Sequence, residues 1–245
     1  MNNSQIHFLP EIDSTNSWAL REIDKGAQKG DIFLADFQTH GRGRLERHWE
    51  AVKGKNILLS FIDTIPSKKE ETPSLTLLAG IAVREAIVSL IPNLDIKLKW
   101  PNDLLINNKK LAGILCEAHP HKPFVVIGIG LNVLMDEGDF SPAISQTASS
   151  LKLESKILPE KEKLIGAILN AYEKARDIYD KQGLSSILDE WKKHTMMVGR
   201  KVRVNDGSES YEAVVEGLDS QGFLMVKKEN QIIKIIAGDV YVIGN

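Results

Sequence analysis

Residues 74–91, "SLTLLAGIAVREAIVSLI", carry apolar side chains on nearly every face of a helical projection. A helix of that kind cannot lie on a surface with one side wet, so it belongs at the centre of a domain. The segments around it have to supply its cover. Short β-rich runs stand before it ("QIHFL", "DIFLADFQ", "NILLSFI") and after it ("IKLKW", "DLLIN", "KLAGILCEA", "PFVVIGIGLNV"). "NILLSFI" is short and apolar throughout, as a buried strand is. "NNKK" between two of these runs reads as a hairpin turn. "DSTNSWALREIDKG" reads as a helix, with Asp13 or Ser14 able to cap its start and Gly26 where it ends. Residues 159–182 and 184–195 also read as helices, and residues 134–150, rich in Ser, Gly, Asp and Thr, as a long loop. Loops of that length in a compact domain are commonly lids. The expected fold class is α+β, a mixed sheet with packed helices.

After "MMVGR" the character changes. "KVRVN", "YEAVVEGL", "GFLMVKK" and "QIIKIIA" are short strands at tight spacing, with "NDGS" and "DSQG" as turns. That pattern predicts a small β-barrel and a division into residues 1–196 and 197–245. No internal repeat stands out.

Composition narrows the function classes. A hydrophobic content of 42% suits a globular core. A net charge of −2 argues against general attraction to nucleic acid or anionic membrane, so any anion site has to be local. The single cysteine, Cys116, permits no internal disulfide and suits a reducing compartment. "MNNSQIHFLPEIDS" has no basic region followed by an apolar run. "PFVVIGIGLNVLM" is too short to span a bilayer and is interrupted by glycines and Asn132. A cytoplasmic location is expected, without membrane attachment. There is no Walker A motif and no Cys/His cluster, and Cys116 in an apolar strand is a poor catalytic thiol.

One segment resists assignment to helix or strand. "THGRGRLERHW", residues 39–49, puts Arg42, Arg44 and Arg47 among Gly41 and Gly43 and ends on Trp49. Glycines let a backbone approach a ligand, and guanidinium groups bind phosphate or carboxylate through paired hydrogen bonds. An aromatic ring at the end of such a loop can cover a flat ligand or stack on a base. In "KWPND", Lys99, Asn102 and Asp103 project near a strand end. Asn102 can read a base edge or phosphate, and Asp103 can hold Mg²⁺ or orient an attacking amine. "KKLAGIL" places Lys110 ahead of an apolar strand containing Gly113, and Asn132 closes "GIGLN". Each feature also has a plain structural explanation: a solvated basic loop, a core tryptophan, an Asn/Asp turn, a snorkelling lysine, a bulge at Gly113, a helix cap at "DSTN".

In order, "DSTN", "QTHGRGRLERHW", "KWPNDLL", "KLAGILCE" and "VVIGIGLN" resemble biotin–protein ligase, also called biotin–[acetyl-CoA-carboxylase] ligase. The resemblance runs from about residue 5 to the C-terminus, and the pairing of "GRGR…W" with "KWPND" is its most specific part. It implies a class II synthetase-like catalytic domain followed by an SH3-like β-barrel. It implies that biotin is condensed with MgATP to biotinyl-5′-AMP and pyrophosphate, then passed to a lysine of a biotin carboxyl carrier domain. Biotin contacts are implied at Ser14, Thr15, Asn16, Gln38, Gly41, Arg42, Gly43, Arg44, Lys110 and Gly113. Nucleotide contacts are implied at Arg44, Arg47, Trp49, Lys99, Asn102 and Asn132, and catalytic roles at Arg42, Arg44, Lys110 and Asp103. ATP and Mg²⁺ are the implied cofactors, the metal ligands being unassigned. The basic loop would be a flap that orders over the ligand, and residues 134–150 a second ordering loop. Homodimers through sheet edges are also implied.

Family flaps usually read Gly-Arg-Gly-Arg-x-Gly-Arg, and Glu46 stands here in place of the third glycine. Bifunctional members carry an N-terminal winged helix-turn-helix that this sequence does not show, so a ligase without DNA-bound repressor activity is expected. The rival readings are a lipoate or octanoate ligase of the same fold, a nucleic-acid-binding module using the basic loop, and a non-catalytic adenylate sensor.

Overall fold

A computed structural model describes residues 4–205, 207 and 209–243. The chain opens with β1 (Ile6–Leu9) and α1 (Thr15–Lys25), then β2 (Ile32–Ala35) and β3 (Asn56–Thr64). Ser14 is the N-cap of α1 and Gly26 its C-cap at φ +113°, a left-handed conformation that glycine adopts without strain. The apolar segment forms α2 (Ser74–Leu90). It is followed by β4 (Ile96–Lys99), β5 (Asp103–Ile106), β6 (Lys109–Ala118) and β7 (Phe124–Asn132). Asn107 and Asn108, both at positive φ, make the β5–β6 hairpin turn expected from "NNKK".

Among the described residues, seven strands form one mixed sheet in the order β1-β2-β3-β7-β6-β5-β4, with β1 parallel to β2 and every other pair antiparallel. Side chains alternate between its faces, and that alternation separates core from site. On β7, Val125, Ile127, Ile129 and Leu131 join the large core around α2, where Leu75, Leu78, Val83 and Ile87 are fully or almost fully buried. On the other face Val126 packs with Ala19 and Ile23 of α1 and with Phe33 and Ile62. Phe124 packs with them, and beyond Val126 that face carries only Gly128, Gly130 and Asn132, so the second half of β7 leaves open space there.

A short α3 (Leu151–Glu154) leads to α4 (Lys161–Gln182) and α5 (Leu184–His194), which pack on α2. Asp63 of β3 is buried beneath α4, where it accepts hydrogen bonds from Tyr172 (2.8 Å) and Arg176 (2.5 Å).

Five further strands, β8 (Lys201–Asn205), β9 (Ser210–Leu218), β10 (Leu224–Lys228), β11 (Gln231–Ile235) and β12 (Asp239–Val242), form an antiparallel sheet ordered β11-β10-β9-β8-β12. Alternate residues Val202, Val204, Tyr211, Ala213 and Val215 face inward and join the same apolar cluster as α2. Trp100 is buried at the junction, its indole N–H donating to the Gly222 carbonyl at 3.1 Å. In the "NDGS" turn, Asp206 and Ser208 lie outside the described residues. No helix among the described residues is long and apolar enough to cross a membrane.

Candidate active site

The open face of β6 and β7 is the floor of a cavity of about 270 Å³. Its walls are the start of α1, the basic loop, the β4–β5 turn, residues 140–148 and the edge of β12. Gly113 and Gly130 let the Trp49 ring lie against the strands. A Cβ on Gly130 would meet ring atoms at 2.5 Å, and one on Gly113 at 3.0 Å.

A polar network closes one end. Gln38 Oε1 accepts from the Thr15 amide at 2.8 Å and lies 3.0 Å from its hydroxyl. Ser60 Oγ lies 2.7 Å from Thr15 Oγ1 and 2.6 Å from Asn16 Oδ1. Asn16 Nδ2 donates to the Leu115 carbonyl (3.1 Å) and to Glu117 (2.8 Å). Gly128 makes room for this amide, since a Cβ there would fall 2.0 Å from Asn16 Oδ1. Thr15, Asn16, Gln38 and Ser60 are all buried, and the first three line the cavity, so a ligand there meets a hydrogen-bonded polar wall that bulk water does not reach.

Cations line the rest. The basic loop is a small hairpin: Arg42 bridges to His48, the Gly43 amide donates to the Arg47 carbonyl at 2.7 Å, and the Trp49 amide donates to that of Gly41 at 2.9 Å. Leu45 (φ +52°) and Glu46 (φ +58°) form its left-handed tip, where Glu46 replaces the glycine of the usual flap sequence. One arm is tied to the main sheet by Arg42, which donates to Glu117 (2.6 Å) and Ser17 (3.2 Å). The other arm reaches β12, where Arg47 pairs with Asp239 and donates to Tyr241 at 3.3 Å. Lys110 Nζ lies 2.6 Å from Asp103 Oδ1 and 5.6 Å from the Trp49 ring. Burial lowers the pKa of Arg44, against the opposing pull of Asp239 and Asp103. Burial likewise lowers Lys99, again opposed by Asp103 and Asp239 and reinforced by Lys110. Cations held in partly desolvated positions gain by acquiring an anion.

Nearly all the residues singled out in the sequence reach this cavity: Ser14, Thr15, Asn16, Gln38, Arg42, Gly43, Arg44, Arg47, Trp49, Lys99, Asn102, Asp103, Lys110, Gly113 and Asn132. Gly41 does not line it. A Cβ there would stand 2.5 Å from the Trp49 carbonyl, so the hairpin itself needs glycine at this position. Asn132 lines the cavity with both ends of its amide already engaged, accepting from Asn56 and donating to Ser149, each at 2.9 Å. In the ligand-free protein these bonds brace the cavity wall. Asn102 donates to the Ile114 carbonyl at 2.9 Å and fixes the β4–β5 turn. The bulge considered for Gly113 falls instead at the Leu104/Leu105 step opposite Leu111. Residues 147–149 run beside the start of β6, the Lys110 amide donating to Thr147 at 2.7 Å and the Ser149 amide to Lys110 at 2.9 Å. Burial pushes the Cys116 thiol up to about 12, which leaves no thiolate for nucleophilic work.

Sequence reasoning missed Ser60, Glu117, Asp239 and Tyr241. Glu117 follows "LAGILC" and was reachable by strand alternation from Gly113. Asp239 carries no local signal.

Residues 8–133 match the Biotin/lipoate A/B protein ligase family, and residues 198–242 match the Biotin protein ligase C terminal domain. The chain belongs to the biotin/lipoate A/B protein ligase family. Within it the chain is similar to biotin ligases. It is 33% identical to the bifunctional ligase/repressor BirA of Bacillus spizizenii over 94% of this chain and 71% of that one. It is 32% identical to the biotin–[acetyl-CoA-carboxylase] ligase of Mycobacterium tuberculosis over 96% and 88% of the two chains. A solved structure of the biotin protein ligase from Aquifex aeolicus in complex with biotin and ATP superposes with a TM-score of 0.85 at 25% identity, covering 99% of this chain and all of that one (100%).

Proposed function

We propose that this chain is an ATP-dependent biotin–protein ligase that forms biotinyl-5′-adenylate and transfers biotin to a lysine of a biotin carboxyl carrier domain. The observation that carries the reading is the division of one cavity into a buried hydrogen-bonding end, at Thr15, Asn16 and Gln38 with Ser60 behind them, and a cationic end, at Arg42, Arg44 and Lys110. The first end suits the ureido ring of biotin, the second its carboxylate and the nucleotide phosphates.

Adenylation brings together two anions. A biotin carboxylate oxygen attacks the α-phosphorus, and the bond to pyrophosphate breaks. Arg42, Arg44 and Lys110 offset the repulsion and stabilise charge on the phosphoryl oxygens in the transition state. Trp49, lying over the glycine floor, covers the adenylate and keeps water from the mixed anhydride. Transfer follows when the acceptor amine attacks the biotinyl carbonyl and AMP leaves. Lys110 turns from Asp103 to the phosphate, and the freed Asp103 carboxylate orients that amine and takes its proton.

Mg²⁺, as the counter-ion of ATP, would supply further charge neutralisation on the phosphates. The carboxylates at this end, Asp103 and Asp239, are already paired with Lys110 and Arg47, which fits a metal delivered with the nucleotide rather than held by the resting protein. Residues 1–196 act as the catalytic unit and 197–245 as a barrel that completes the phosphate end. A homodimer through a sheet edge is supported by β1, whose Ile6 and Phe8 are exposed. The single cysteine supports a cytoplasmic location.

The test is mass spectrometry of a biotin carrier domain after incubation with the protein, biotin and MgATP, alongside pyrophosphate release with biotin or lipoate. A carrier gaining one biotinyl group is expected. Lipoate turnover without biotin turnover would replace the reading with lipoate ligation, and binding of nucleic acid that falls steeply with salt, without either turnover, would replace it with a binding module.

A further inference from the structure

We propose that Asp239 of β12 is the resident counter-ion of the flap, holding Arg47 at the cavity rim until a phosphate displaces it. The proposal rests on the ligase reading of the cavity. It starts from the placement of β12. Val240 is buried in the core and anchors the strand. Asp239 and Tyr241, on either side of it, share the opposite face and both line the cavity. There Asp239 pairs with Arg47 and Tyr241 accepts from it. The Tyr241 ring lies 5.3 Å from the Lys99 ammonium.

Arg44, Arg47 and Lys99 thus meet at one rim, and Asp239 is the carboxylate of the C-terminal sheet that faces them. Like charges brought together at a partly desolvated rim repel unless an anion sits among them. Asp239 fills that place in the resting protein. Arg47 is 56% exposed, so its ion pair is weak and readily exchanged. A polyphosphate carries several charges against the single charge of Asp239, and guanidinium groups bind it through two parallel bonds. Exchange of the carboxylate for phosphate is then favourable, and the flap arrives already held beside its ligand instead of being ordered from a free loop. Asp239 is a positioning residue in this scheme. It touches neither reacting atom and acts through Arg47.

Asp239→Asn keeps the shape and removes the charge. Two readouts decide the proposal. Trypsin cleavage within residues 42–47 of the ligand-free protein should quicken about 2–5-fold, the range that corresponds to an exposed ion pair. Binding of α,β-methylene ATP in the presence of biotin, followed by calorimetry, should tighten by a similar factor because the competing anion is gone. The cleavage effect should vanish, and the effect on nucleotide binding shrink to what Arg44 and Lys99 carry, when Asp239→Asn is made on an Arg47→Gln background, whereas a general structural role would persist there in full. Unchanged cleavage, or unchanged or weaker nucleotide binding, overturns the proposal. Asp239→Ser replaces the asparagine variant should that one fail to fold. If the wild type binds no nucleotide, the ligase reading fails, while the cleavage comparison still decides whether Asp239 holds the flap.

Discussion

Gly128→Ala adds one methyl group to the middle of the site floor, and its cost can be worked from the contacts around it. The backbone at Gly128 does not have positive φ, so alanine meets no conformational obstacle there. The obstacle is Asn16, whose Oδ1, Cγ and Nδ2 would lie 2.0, 2.7 and 3.0 Å from the new Cβ. Neither side can retreat easily. Gly128 is paired with Ser60 on one neighbour strand and Leu115 on the other, and Asn16 is buried in the first turn of α1. The Asn16 amide has to swing out, giving up its contacts with Leu115, Glu117 and Ser60. At about 1 kcal/mol for each buried hydrogen bond, the loss is about 2–4 kcal/mol. For a chain of this size that corresponds to a fall in Tm of about 5–15 °C. Calorimetric unfolding of Gly128→Ala, Asn16→Ala and the double variant measures it. In the double variant the methyl group has room, so its destabilisation should fall well short of the sum of the two single ones. Biotin binding should be lost in Gly128→Ala. A Tm within 1 °C of wild type (about the precision of the measurement, against the several degrees expected), or strict additivity, would refute the steric reasoning.

Arg42→Ala, Arg44→Ala and Lys110→Ala should each slow biotin-dependent pyrophosphate release by about 10²–10³-fold with the fold intact; turnover at the wild-type rate in any of them removes that side chain from the mechanism. Glu46→Gly relieves a left-handed residue at φ +58°, a conformation that costs a non-glycine residue about 1 kcal/mol. The flap tip should therefore resist trypsin better, and faster cleavage would contradict the assignment of strain to Glu46. Burial holds the Lys99 pKa below its ordinary 10.5, so as pH rises Lys99 loses its charge earlier than an exposed lysine does. The KM for ATP should climb as pH rises toward 10, and Lys99→Arg should flatten that climb. A profile identical in both proteins would take Lys99 out of nucleotide binding.

The elements and their punctuation were legible because their causes are local. An all-round apolar helix announces α2, Ser14 and Gly26 bound α1, and "NNKK" turns β5 into β6. The cationic hairpin was legible for the same reason, since glycine and arginine at that spacing suit neither helix nor strand. Less visible was the work of the glycines. "GIGLN" shows its small residues in the sequence, but that Gly128 houses Asn16 and Gly130 the Trp49 ring depends on which strand face meets α1 and the flap. At Gly41 the close neighbour is the hairpin's own backbone, the Trp49 carbonyl, which the sequence does not show either.

Strands, helices and the supply of charge follow from short stretches of sequence, because periodicity, capping and residue type act over a few positions. How that charge is held depends on long-range packing. Arg42 meets Glu117 across 75 positions and Arg47 meets Asp239 across 192. Such pairs exist because β6 and β12 bring their carboxylates to the two arms of one hairpin. Strand register and packing set those meetings, and no local pattern of residues encodes them.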